Sequence, residues 1–123
     1  MGSPFDAIRG IDYTVIFTDD LQAMRGFYEG VLRFRFVRAL TPRWLEFAVG
    51  GQTLALCQVD TAPKAPALQL AFRVPPDMVA ACAAELDRQG IAIDQPVTDQ
   101  PFGHRTLFFR DPQGTRLEIY AEI

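Results

Sequence analysis

Phe109-Arg110-Asp111-Pro112-Gln113-Gly114-Thr115-Arg116-Leu117-Glu118-Ile119 is the stretch whose reading decides the fold. Asp111-Pro112-Gln113-Gly114 is a tight-turn sequence, because Pro presets φ at the second turn position and Gly is free to take positive φ. Beyond it, Leu117 and Ile119 alternate with Arg116, Glu118 and Tyr120, the period-2 pattern of a strand with one buried face. Strands are therefore expected at about 104–110 and 114–121, with a further one at about 91–97. Upstream, Gly90 is a natural helix stop and Pro76 suits the first turn of a helix. Val79, Cys82, Ala83 and Leu86 form the apolar stripe of that helix. Leu68 to Val74 is a preceding strand. The order is strand, helix, strand, strand, strand.

The N-terminal half has the same order. Gly10 to Thr18 is a β-rich run bounded by turn formers. Asp19 reads as a helix N-cap, with Gln22 three residues on completing a capping box. Leu21, Met24, Phe27, Tyr28, Val31 and Leu32 then recur at helical spacing, which predicts an amphipathic helix over roughly 20–32. Strands are expected at about 33–39, 43–49 and 52–59, with turns at Thr41-Pro42 and Gly50-Gly51. A Pro- and Ala-rich linker, Thr61 to Ala67, separates the halves. Neither half can hide its sheet alone, so two βαβββ modules, 10–60 and 67–123, must pair, within the chain or between chains; residues 1–123 read as one α+β domain.

Composition agrees with a globular domain. The chain has 123 residues, of which 49% are hydrophobic and 22% charged, far from a disordered balance. Its formal net charge of −3, with Lys and Arg scattered, argues against a nucleic-acid partner, which would select a concentrated basic face. No apolar run approaches membrane-spanning length, and Met1 to Gly10 lacks a signal-peptide pattern, so the cytoplasm is the expected compartment. Cys57 and Cys82 sit in apolar segments and read as two buried thiols.

The repeat, together with two motifs, resembles the glyoxalase / bleomycin-resistance / extradiol dioxygenase (vicinal oxygen chelate) superfamily. One motif is Ile11-Asp-Tyr-Thr-Val15, followed by Asp19-Asp-Leu-Gln-Ala23, Phe27-Tyr28 and Val31-Leu32. The other is the Phe109–Ile119 stretch, similar to the family's Phe-x-Asp-Pro-x-Gly-x-x-Leu-Glu-Leu ending. The resemblance implies curved mixed sheets around a cavity, and a homodimer. It also implies a divalent metal held by two His and a terminal Glu. Here Tyr13 and Gln69 stand where those His are usual, Glu118 is kept, and Arg33 replaces the Gly of the family's Leu-Gly pair.

Strand alternation sorts the same residues independently of the family. Thr14, Ile16, Leu54, Leu56, Leu68, Leu70, Phe72, Leu117 and Ile119 fall on an apolar face expected to pack on the helices. The opposite face carries Tyr13, Val15, Phe17, Ala55, Cys57, Gln69, Ala71, Arg73, Arg116, Glu118 and Tyr120. On the third strand Trp44 and Glu46 join that face. Phe108 does too, since Phe109 must point the other way. Aligning the halves on Gly51 and Gly114 makes Ala55 the counterpart of Glu118, and Tyr13 that of Gln69. A transition-metal site needs about three imidazole, thiolate or carboxylate ligands. Tyr13, Ala55, Gln69 and Glu118 supply one carboxylate. No cofactor is expected; the alternative is a divalent ion weakly held by Gln69 and Glu118.

Three functions fit. The first is metal-independent binding or sequestration of a planar or amphiphilic small molecule, with Tyr13, Phe17, Trp44, Glu46, Gln69, Arg73, Phe108, Arg116, Glu118 and Tyr120 as lining. The second is a lyase, isomerase or dioxygenase using Glu118 as base, with His104 as a further acid–base candidate. The third is an interaction domain with an unused cavity. Against each site residue stands a plainer role: Glu118 paired to Arg73 or Arg116, His104 as an exposed strand entry, Trp44 as core. Phe27 and Tyr28 read as helix packing, and Asp111 as a turn maker.

Overall fold

The computed structural model describes residues 2–63 and 68–123, so the last part of the expected linker lies outside the described residues. After a 3-10 turn at Pro4–Ala7 come β1 (Tyr13–Thr18) and α1 (Leu21–Arg25), which continues as a π-helix over Gly26–Val31. Then follow β2 (Arg35–Thr41), β3 (Trp44–Val49), β4 (Gln52–Gln58) and β5 (Gln69–Arg73). The chain ends with α2 (Met78–Arg88), β6 (Ile93–Asp99), β7 (His104–Arg110) and β8 (Arg116–Glu122). Two four-stranded sheets form, ordered β1-β4-β3-β2 and β5-β8-β7-β6. In each, the first strand of the module runs parallel to the last and the remaining pairs are antiparallel. This is the α+β fold of two βαβββ modules.

The first helix departs from expectation at both ends. β1 ends at Thr18, whose hydroxyl accepts the Asp20 N–H, so the cap falls on Asp20 instead of Asp19. The Asp20 carboxylate accepts from the Ala23 N–H at 3.1 Å, and the Gln58 side chain accepts from the Leu21 N–H at 2.9 Å. α-Helix lasts five residues before the turn widens, with the Leu32 N–H donating to the Phe27 carbonyl five residues back. Gly26 and Gly30, weak α-formers, bracket the widened turn. The chain leaves it through Arg33 at φ 61°, the one non-glycine at positive φ among the described residues. In the second module α2 begins after Asp77, and Pro96 sits in β6, an edge strand where a missing N–H is tolerated.

Both modules bury into one core. Ile16, Leu45, Phe47, Leu54 and Leu56 from the first sheet join Leu107, Phe109, Leu117 and Ile119 from the second, with Met24, Phe27, Tyr28, Val79 and Leu86 from the helices between. The apolar face read from alternation is therefore the helix-packed one. A polar seam crosses this core. The Tyr28 hydroxyl donates to Asp111 Oδ2 at 2.7 Å, and Asp111 Oδ1 accepts from the Gln113 and Thr115 N–H groups, each at 2.9 Å. Nearby, the Thr18 hydroxyl donates to Gln113 Oε1 at 2.7 Å. Burial, then the charge of Asp111, holds the Tyr28 phenol far above its ordinary range, so it stays a donor. Asp111 and Tyr28 thus do more than shape a turn and pack a helix: they tie the modules together. Both cysteines are free and half-buried, where full burial was expected.

Candidate functional site

With one face of each sheet committed to the shared core, residues of the other parity lie on two outer faces. The strand register repeats between modules. β1 sets Val15 beside Ala55, and β5 sets Ala71 beside Glu118. Tyr13 and Gln69 each precede that pair by two residues, so the correspondence Tyr13/Gln69 and Ala55/Glu118 holds in the register. On the neighbouring strands Glu46 lies beside Ala55 and Phe108 beside Glu118.

The first outer face is aromatic with one locked carboxylate. Glu46 Oε2 accepts from the Trp44 indole N–H at 2.8 Å, and Oε1 from Arg38 Nε at 2.9 Å. The Arg38 hydrogen bond and then the Trp44 one hold the Glu46 carboxyl below its usual range. The Tyr13 ring meets Trp44 edge-on at 6.1 Å between centroids. Tyr13 and Phe17 remain 52% and 51% exposed, which leaves aromatic surface uncovered. Arg38 was missing from the sequence reading. Its strand carries register shifts between Phe36 and Arg38 and between Ala39 and Thr41, and these scramble the alternation that would have revealed it.

The second outer face holds Glu118, only 9% exposed, whose Oε1 accepts from Gln69 Nε2 at 3.2 Å. The plainer pairings of Glu118 do not form. Arg73 pairs with Glu122 at 3.1 Å, and the Arg116 guanidinium lies 4.3 Å over the Phe108 ring. His104 stacks on Tyr120 at 4.9 Å and meets Phe102 at 5.2 Å, so it stands in an aromatic stack at the sheet's end, away from Glu118's hydrogen bond. The site residues therefore fall into two groups, Tyr13–Phe17–Trp44–Glu46 and Gln69–Arg73–Phe108–Arg116–Glu118–Tyr120. Among the described residues no hydrogen bond, ion pair or ring contact joins the groups.

A divalent metal does not fit these donors. Gln69 and Glu118 offer one amide and one carboxylate, Tyr13 and Ala55 add no good ligand, and among the described residues no three His, Cys, Asp or Glu side chains come together.

The family model described as "Glyoxalase/Bleomycin resistance protein/Dioxygenase superfamily" matches residues 10–119. No curated protein matches the chain. Among solved structures, a glyoxalase/dioxygenase from Nostoc punctiforme is similar with TM-score 0.82 at 20% identity, covering 100% of this chain and 97% of that one. A lactoylglutathione lyase from Agrobacterium tumefaciens gives 0.77 at 23% identity, covering 94% and 95%. The genomically encoded fosfomycin resistance protein FosX from Listeria monocytogenes gives 0.80 at 17% identity, covering 94% and 95%. These likenesses are to the fold. Among the described residues no helix is long and apolar enough to cross a membrane.

Proposed function

The chain belongs to the Glyoxalase/Bleomycin resistance protein/Dioxygenase superfamily, and from that premise we propose that it binds or sequesters a planar or amphiphilic small molecule without a metal. One observation carries this reading: Trp44 is fixed by Glu46 and Arg38 as a rigid wall beside a half-exposed Tyr13 and Phe17. A preset aromatic surface takes a flat ligand at low entropic cost. In this reading the protein is a cytoplasmic homodimer in which the first outer face of one copy meets the second outer face of its partner. The ligand then lies between Trp44 and the Glu118–Phe108 group. The test is a titration with a polycyclic ligand such as an anthracycline, followed by the emission of Trp44, the only Trp of the chain. Trp44→Ala is expected to weaken binding by about 1–3 kcal/mol, the scale of one buried aromatic contact. Unchanged affinity in the variant, measured by calorimetry, contradicts the reading.

A second reading is catalytic, favoured by the burial of Glu118 with only one oxygen engaged by Gln69. In that reading the free oxygen acts as a base toward a vicinal diol, oxoacid or thiol adduct. A lactoylglutathione lyase shares the fold. Glu118→Gln separates the two readings: under the catalytic one it abolishes a turnover that the wild type shows, and under the binding one neither wild type nor variant turns the ligand over.

A further inference from the structure

Where the modules meet, away from both outer faces, lies an apolar cavity of about 340 Å³. The first module contributes Leu32 and Phe34 and the second Phe72, Cys82 and Leu86, so the cavity straddles the seam. Tyr13, Trp44 and Glu118 are not among its lining residues. Two ionisable side chains reach it. Burial raises the Cys82 thiol, which is therefore neutral at physiological pH. Glu85 is engaged by Arg88, with Nε at 3.0 Å, and by Gln89 Nε2 at 2.6 Å. Among the described residues the lining holds no cation, and the charge of Arg33 beside it acts, like that of Arg88, on Glu85; burying an uncompensated charge is costly. The wall beside it is where the chain leaves regular geometry, at the end of the π-helix and at Arg33 with its left-handed φ. Departures of both kinds concentrate where the backbone is shaped for a ligand.

We propose that this seam cavity, near the lower end of ligand-pocket volumes, is a second small-molecule site, taking a neutral apolar molecule of two or three aromatic rings. It is independent of the outer-face site. The protein's own N-terminal segment is the competing occupant, because Phe5, Ile8 and Ile11 are 76%, 68% and 82% exposed.

The full chain is titrated with neutral N-phenyl-1-naphthylamine, followed by the probe's emission. Ala81→Trp obstructs the cavity from an exposed helix position and should weaken binding by about tenfold or more. Trp44→Ala should leave it unchanged. In a Cys57→Ser chain, which keeps Cys82 as its single thiol, bound probe should slow alkylation of Cys82 by N-ethylmaleimide. Probe binding that ignores Ala81→Trp or is lost in Trp44→Ala overturns the proposal. So does unprotected Cys82, which is read without the Ala81 variant and stands even if that variant fails to fold. Binding that appears only after residues 2–9 are deleted assigns the cavity to the chain's own arm and equally overturns it.

Discussion

At Arg33 the backbone holds a left-handed φ of 61° on a side chain that disfavours it, at the position where the family's motif carries Gly. Arg33→Gly should therefore stabilise the protein by up to about 1 kcal/mol, read as a higher urea midpoint at constant slope. Tyr28→Phe acts in the opposite direction. It strips the hydroxyl from a buried Asp111 oxygen and should cost about 1–3 kcal/mol in the same assay. Glu46 gives a pH signature. Its folded-state pKa is depressed, so the carboxylate contributes stability above the unfolded value of about 4.5 and loses that contribution as pH falls toward the lower folded one. Protonation also removes the negative charge that the Trp44 indole N–H is bonded to, so Trp44 emission should titrate below pH 4.5 in the wild type and stay flat there in Glu46→Gln. Arg33 was conspicuous in the sequence as a departure from a motif and Glu46 as a lining candidate, whereas Tyr28 read as helix packing. Tyr28 and Asp111 lie 83 positions apart, and their hydrogen bond leaves no local trace.

Among the elements, strands were the most legible, because period-2 alternation is unambiguous when one face is buried. The correspondence of Ala55 with Glu118 and of Tyr13 with Gln69 follows from that parity together with the turn glycines Gly51 and Gly114, and the strand register keeps it. Helix ends were less so. Asp19 and Asp20 are chemically equal caps, and the choice fell to Thr18, whose hydroxyl takes the Asp20 N–H. Asp20→Ala should accordingly cost about 1 kcal/mol, and Asp19→Ala little, in thermal unfolding. The π-helical turn escaped notice because Met24, Phe27, Tyr28 and Val31 satisfy an α-helical stripe equally well. Arg38 was hidden by the bulges of an edge strand, and with it the group that locks Glu46.

Across the whole molecule, both sheets spend their apolar faces on one core, and the candidate ligand residues are divided between two outer faces. How the modules sit on one another is set by long-range contacts such as Tyr28–Asp111, which no sequence window contains. If a second copy joins the faces, Tyr13→His with Gln69→His should create Zn²⁺ binding together with Glu118, and only at concentrations where the protein sedimentates as a dimer. Zn²⁺ binding by the monomer would refute the pairing. The central claim, binding without a metal, is tested most directly by elemental analysis of the purified wild-type protein. With Tyr, Ala, Gln and Glu at the four corresponding positions, the account predicts well under one equivalent of Zn, Ni, Fe or Mn per chain. One equivalent per chain, lost on Glu118→Ala, would contradict it.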